Sequence, residues 1–167
     1  MQNRLLYSLL LLSVLFLSSC TQQEKGYLID PVPYDNGCHA DSSGITVEIE
    51  DEVTTASETV TVLITGSNVP DRPDAVYYFS APALEYRDGE KWERIPIREE
   101  GWMQNMENAP EDYWTTKYRE DIEPPAEMWD TAEIPVRTLT RPLRKGDYRT
   151  VVFFPDRTVY TEFTISK

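Results

Sequence analysis

Few side chains in this sequence are able to act as nucleophiles or bases. The two cysteines, Cys20 and Cys38, and the one histidine, His39, are the softest donors present. Cys20 ends the run Leu17-Ser18-Ser19-Cys20. Small residues precede it, and a thiol is a nucleophile that can accept an alkyl or acyl group. Cys38 and His39 are neighbours in sequence, and adjacent side chains do not easily converge on one substrate atom. A thiol nucleophile ordinarily has its histidine far along the chain. Asp35, Cys38, His39 and Asp41 include donors that suit soft and borderline ions. All four lie in one Gly/Ser/Asp-rich loop without a recognised ligand spacing, and no D-x-D-x-D-G calcium loop occurs. The stretch reads as a solvated turn, so no catalytic residue, metal or cofactor is assigned to it.

The acids and aromatics are more numerous. Glu99-Glu100, Glu111-Asp112 and Glu120-Asp121 would serve a carboxylate-based hydrolase only if two acids faced each other at a set separation, which the fold decides. With 29 acidic residues in the chain, charged surface is the plainer reading. Trp102, Tyr113, Trp114, Tyr118 and Trp129 crowd into residues 98–131 with Met103, Met106 and Met128. Aromatic faces stack on sugars and on apolar side chains, so these five are the candidate binding residues, with a glycan as one possible ligand. Bulky aromatics are on average well buried, and the competing expectation is that they fold back to cap the domain.

The elements that must position these groups follow from periodicity. Residues 45–50 place Ile45, Val47 and Ile49 on one face, and residues 58–65 do the same with Val60, Val62 and Ile64. Alternation of this kind marks half-buried strands. Residues 76–80, 84–87 and 91–95 continue the series, with Asp88-Gly89 as a hairpin turn. Residues 132–139 form an edge strand, because Pro135 has no N–H for a ladder. Residues 149–154 are apolar on both faces and therefore central, and 159–165 alternate once more. About seven short strands with no amphipathic helix predict an all-β fold, an antiparallel β-sandwich in which two sheets bury their apolar faces. Residues 98–131 interrupt the pattern as an irregular aromatic and acidic insertion, expected to be ordered because disordered chain is poor in aromatics. Trp92 and Tyr148 are assigned to the core and its corner.

The N-terminus is a separate matter. Met1-Gln-Asn-Arg4 carries one positive charge, and residues 5–17 form an apolar run that ends at small residues, the three parts of an export signal. The run is shorter than the roughly 20 residues a spanning helix needs. Removal of residues 1–19 leaves 15 basic against 29 acidic side chains, a net charge of −14. That balance excludes nucleic acid and anionic lipid headgroups as general partners. Residues 20–44, polar and rich in turn formers, read as a tether, and residues 45–167 as the folded domain. If Cys20 is consumed, Cys38 has no partner for an intrachain disulfide.

Two resemblances extend this reading. Leu17-Ser18-Ser19-Cys20 resembles the bacterial lipobox, which implies diacylglycerol on Cys20, cleavage before it, acylation of the new amine by a chain such as palmitate, and a membrane as partner. Thr21, where retained lipoproteins often carry aspartate, implies outward sorting, to an outer membrane if the cell is Gram-negative. Leu143-Arg-Lys-Gly146-Asp-Tyr148 resembles the tyrosine corner of immunoglobulin-like domains. The hairpin from Leu84 to Pro96 and the ending Gly146-Asp-Tyr-Arg149 resemble a bacterial Ig-like domain of small lipoproteins. That resemblance covers about residues 45–167 and implies a non-enzymatic cell-envelope module that binds an envelope protein or glycan. No B–F cysteine pair is present, and 98–131 is longer than an inter-strand loop requires.

Overall fold

The computed structural model describes residues 26–31, 44–70, 72–98, 113–119 and 128–166. The described chain is all-β and forms several antiparallel sheets. Its strands are β1 (Gly26–Tyr27), β2 (Thr46–Ile49), β3 (Thr59–Thr65), β4 (Ala75–Phe79), β5 (Ala83–Asp88) and β6 (Lys91–Arg94). They continue with β7 (Ile97–Arg98), β8 (Trp114–Tyr118), β9 (Trp129–Pro135), β10 (Gly146–Phe153) and β11 (Thr158–Ile165). A four-stranded sheet runs β11-β10-β5-β6, and a three-stranded sheet runs β2-β3-β9. Two smaller ladders pair β4 with β8 and β1 with β7.

Alternation decides which faces are buried. On β3, Val60, Val62 and Ile64 are fully buried while the residues between them are half-exposed. These β-branched side chains fit a pleated surface with one covered face. Val62 and Ile64 pack with Val47, Ala132, Val76, Tyr78, Val152 and Phe154, so one cluster joins the three-stranded sheet to β4 and β10. β10 lies between β11 and β5 and is buried from Thr150 through Phe153, the central position its apolar composition predicts. β9 is an edge of its sheet, and Pro135 sits opposite Thr59 at the end of the ladder. The hairpin turn falls on Gly89-Glu90, one residue later than expected, with Gly89 at φ 61°. Asp88 and Lys91 close the ladder across it.

Four features depart from the sequence expectations. Residues 26–31, assigned to the tether, belong to the folded body: β1 pairs with β7 through Gly26↔Arg98 and Tyr27↔Ile97, and Ile29 is buried in the core. Glycine is required at position 26 because a Cβ there would run into Pro96. Within the insertion, Trp114–Tyr118 is a regular strand against β4 rather than irregular chain. β9 starts at Trp129, three residues earlier than the edge strand expected from Ala132. Trp92 is half-buried on the outer face of the four-stranded sheet, not in the core. Its register partner is Arg87, and Arg94 on the same face of β6 opposes Glu85, which makes this a charged face.

Asn68 is a buried polar residue that periodicity does not reveal. Its amide nitrogen donates to the Tyr77 carbonyl and its amide oxygen accepts from the Tyr77 N–H, both at 2.6 Å. The side chain thus satisfies both backbone groups of one β4 residue, as a neighbouring strand would.

Candidate functional site

The five aromatics proposed for binding do not act as one group. Trp102 lies outside the described residues, as do Cys20, Cys38, His39, Asp35, Asp41 and the three acidic pairs. Tyr113 and Trp114 are half-buried and packed inward. The Trp114 ring meets Phe79 edge-on at 5.5 Å and Tyr77 at 5.7 Å, and Tyr113 meets Phe79 at 5.8 Å. Pairing of β8 with β4 brings these rings against the core residue Phe79, where ring-to-ring attraction adds to their apolar burial. Tyr118 and Trp129 are 53% and 50% exposed. Each has an arginine over its ring: Arg72 above Tyr118 at 4.8 Å, and Arg119 above Trp129 at 4.0 Å. Arg72 is also fixed by two hydrogen bonds to Asp74, of 2.8 and 2.7 Å. That bidentate bond holds the Asp74 carboxyl below the usual carboxylate range.

A second cluster lies on the outer face of the four-stranded sheet. Glu85 on β5 is only 6% exposed, and both of its oxygens are engaged. Oε1 accepts from Arg94 Nε and Nη2 at 3.2 and 3.0 Å, and Oε2 accepts from Arg149 Nε at 2.5 Å. The ladder explains the convergence, since Glu85 is opposite Arg94 on one side and Arg149 on the other. Arg94 also donates to the Ile29 carbonyl at 2.5 Å and lies over the Phe153 ring. Arg149 is stacked on Trp92 and Tyr160, at 4.8 and 4.7 Å. Charge-assisted bonds of this kind hold the carboxylate and both guanidinium groups in place. Their role is to fasten β5, β6, β10 and the 26–31 segment together.

The third feature is the corner. Tyr148 is buried, stacks on Phe163 at 5.6 Å, and its hydroxyl accepts the Arg144 N–H at 3.0 Å. Deeper in the molecule, the Tyr78 hydroxyl donates to Asp130 at 2.7 Å. Burial, reinforced by that bond, pushes the phenol far above its ordinary range, so it remains a neutral donor. Among the described residues no group of three or more His, Cys, Asp or Glu side chains is placed to hold a metal ion. Nor, among them, is any helix long and apolar enough to cross a membrane.

The class that fold and sites define is an all-β chain of several antiparallel sheets, with arginine–aromatic contacts on its surface and a paired carboxylate under one face. Comparison with protein-family models, with curated proteins and with solved structures found no match.

Proposed function

We propose that this chain is a lipid-anchored envelope protein whose domain, residues 45–167 with the docked 26–31 segment, is a non-catalytic Ig-like sandwich that binds an envelope partner. The observation that carries the anchor is Leu17-Ser18-Ser19-Cys20 at the end of a basic head and an apolar run. Two acyl chains or more make such anchoring stable, at about 0.8 kcal/mol for each buried CH₂. Support for the Ig-like reading comes from strand order. The arrangements β2-β3-β9 and β11-β10-β5-β6 correspond to the A-B-E and G-F-C-C′ orders of immunoglobulin sandwiches, and Tyr148 bonds back to Arg144 as a tyrosine corner does.

Replacement of Cys20 by serine tests the anchor. The variant is expected to accumulate as uncleaved precursor and to lose metabolic labelling with palmitate; labelling that persists would overturn the proposal. A second reading, glycan binding, is favoured by the exposure of Tyr118 and Trp129. It expects Trp129 to become shielded from acrylamide quenching when envelope polysaccharide is added, and unchanged quenching would remove it.

A further inference from the structure

Basic residues are outnumbered nearly two to one in this chain, yet four of them converge at the tyrosine corner. Arg141, Arg144 and Lys145 come from the loop that enters β10, and Arg87 from the end of β5. Together with Tyr86 and Tyr148 they line a cavity of about 240 Å³. The corner itself builds the pocket. Tyr148 stands opposite Tyr86 in the ladder, its hydroxyl fixes the Arg144 N–H, and buried Leu143 anchors the loop between the cations. Arg141 lies over the Tyr86 ring, its guanidinium carbon 3.1 Å from the ring centre.

Asp147 also lines the cavity, so the four cations outnumber the acid there. Among the described residues the ion pairs of this protein involve Arg72, Arg94, Arg149 and Arg157, and none of the four pocket cations. Two acids are close at hand, and each already accepts a hydrogen bond from a hydroxyl. Asp147 accepts from Thr164 at 2.8 Å, and Glu93 accepts from Tyr86 at 2.5 Å. Arg141 Nη2 is shut off from solvent without a protein acceptor, and an unmet buried donor of this kind is costly. A planar guanidinium held over a ring, flanked by further cationic groups, matches the oxygens of phosphate.

We propose that this pocket is a binding site for a single phosphoryl group, either free or borne on a sugar. The net negative charge of the chain repels polyanions as they approach. Over a Debye length of about 8 Å that field is screened, so one small dianion can reach the local cations where an extended polyanion cannot. The proposal deepens the binding-module reading and rests on it, but does not depend on the lipid at Cys20.

The test is isothermal titration calorimetry of the full chain in detergent with inorganic phosphate, glucose 1-phosphate and glucose. Saturable binding of both phosphates, or of glucose 1-phosphate alone, is expected, with no heat from glucose; the two positive outcomes separate a free from a sugar-borne phosphoryl group. The double variant Arg144→Gln with Lys145→Gln alters two exposed side chains and keeps the backbone N–H that Tyr148 holds. It should bind about tenfold more weakly, the loss of one charge-assisted hydrogen bond. Arg141→Gln should weaken binding by at least as much. Absence of binding by either phosphate, equal binding of glucose, or unchanged affinity in the double variant overturns the proposal. Palmitate labelling of Cys20 is read separately, so failure here leaves the anchor untouched, and failure there leaves the pocket untouched.

Discussion

The two arginine clusters on the four-stranded sheet use the same side chain for opposite ends. Around Glu85, two guanidinium groups close on one buried carboxylate and stack on Phe153, Trp92 and Tyr160. At the corner, Arg141 lies over Tyr86 in the same way, yet among the described residues none of the four cations there is in an ion pair, and they outnumber the lining Asp147. Stacking on an aromatic face holds an arginine in place in both cases. What differs is the counter-charge, paired with the guanidinium groups in one cluster and outnumbered in the other. The first is finished as a structural clamp, whereas the second is the pocket proposed above for a phosphoryl group.

That contrast predicts an order of mutational effects. Glu85→Ala should be the most damaging, because it leaves Arg94 and Arg149 facing each other over a desolvated gap. Breaking a buried pair costs about 3–5 kcal/mol. Both arginines keep partial solvent access, which lowers the expected loss to about 2–3 kcal/mol. Urea denaturation measures it, and a loss below about 1 kcal/mol would show that the clamp is not structural. Tyr148→Phe should come next, at about 0.5–1.5 kcal/mol, since it keeps the ring and its stacking on Phe163 but removes the acceptor for Arg144 N–H. If thermal melts of this variant match wild type, the corner bond contributes nothing. Arg144→Gln with Lys145→Gln should change stability least, within about 0.5 kcal/mol. A large destabilisation would mean that these cations are part of the scaffold, and would erase the difference between the clusters.

Much of the strand pattern was legible because one-sided burial leaves a period of two. Residues 45–50, 58–65 and 159–165 read as strands and correspond to β2, β3 and β11. The docking of 26–31 was not legible, since it rests on a two-residue ladder and on Arg94 reaching the Ile29 carbonyl, contacts between segments some 65 positions apart. β8 was hidden for a related reason: its strand Trp-Thr-Thr-Lys-Tyr has half-buried and exposed positions without clean alternation. Trp92 misled because tryptophan suggests a core, and only the pairing with Arg87 and the neighbouring Arg149 places it on a charged face. Of the candidate site, the aromatic set was legible as composition but not as two groups. Trp114 and Tyr118 share a face of β8, and how far each is covered depends on where β8 ends on β4. The corner was visible in Gly146-Asp-Tyr148, but its basic pocket needed Arg87, far away in sequence, to complete it.

Pairing of Gly26 and Tyr27 with β7 also sets a length. With lipid on Cys20, six residue steps separate the anchor from the first paired residue, a span of at most about 20 Å when fully extended. A leash running to residue 44 would instead reach about 80 Å. Under the proposed lipidation, so short a leash would hold the folded body in a shallow layer above the bilayer and limit its encounters to those at the membrane surface. Insertion of flexible residues between positions 21 and 25 would then lengthen its reach.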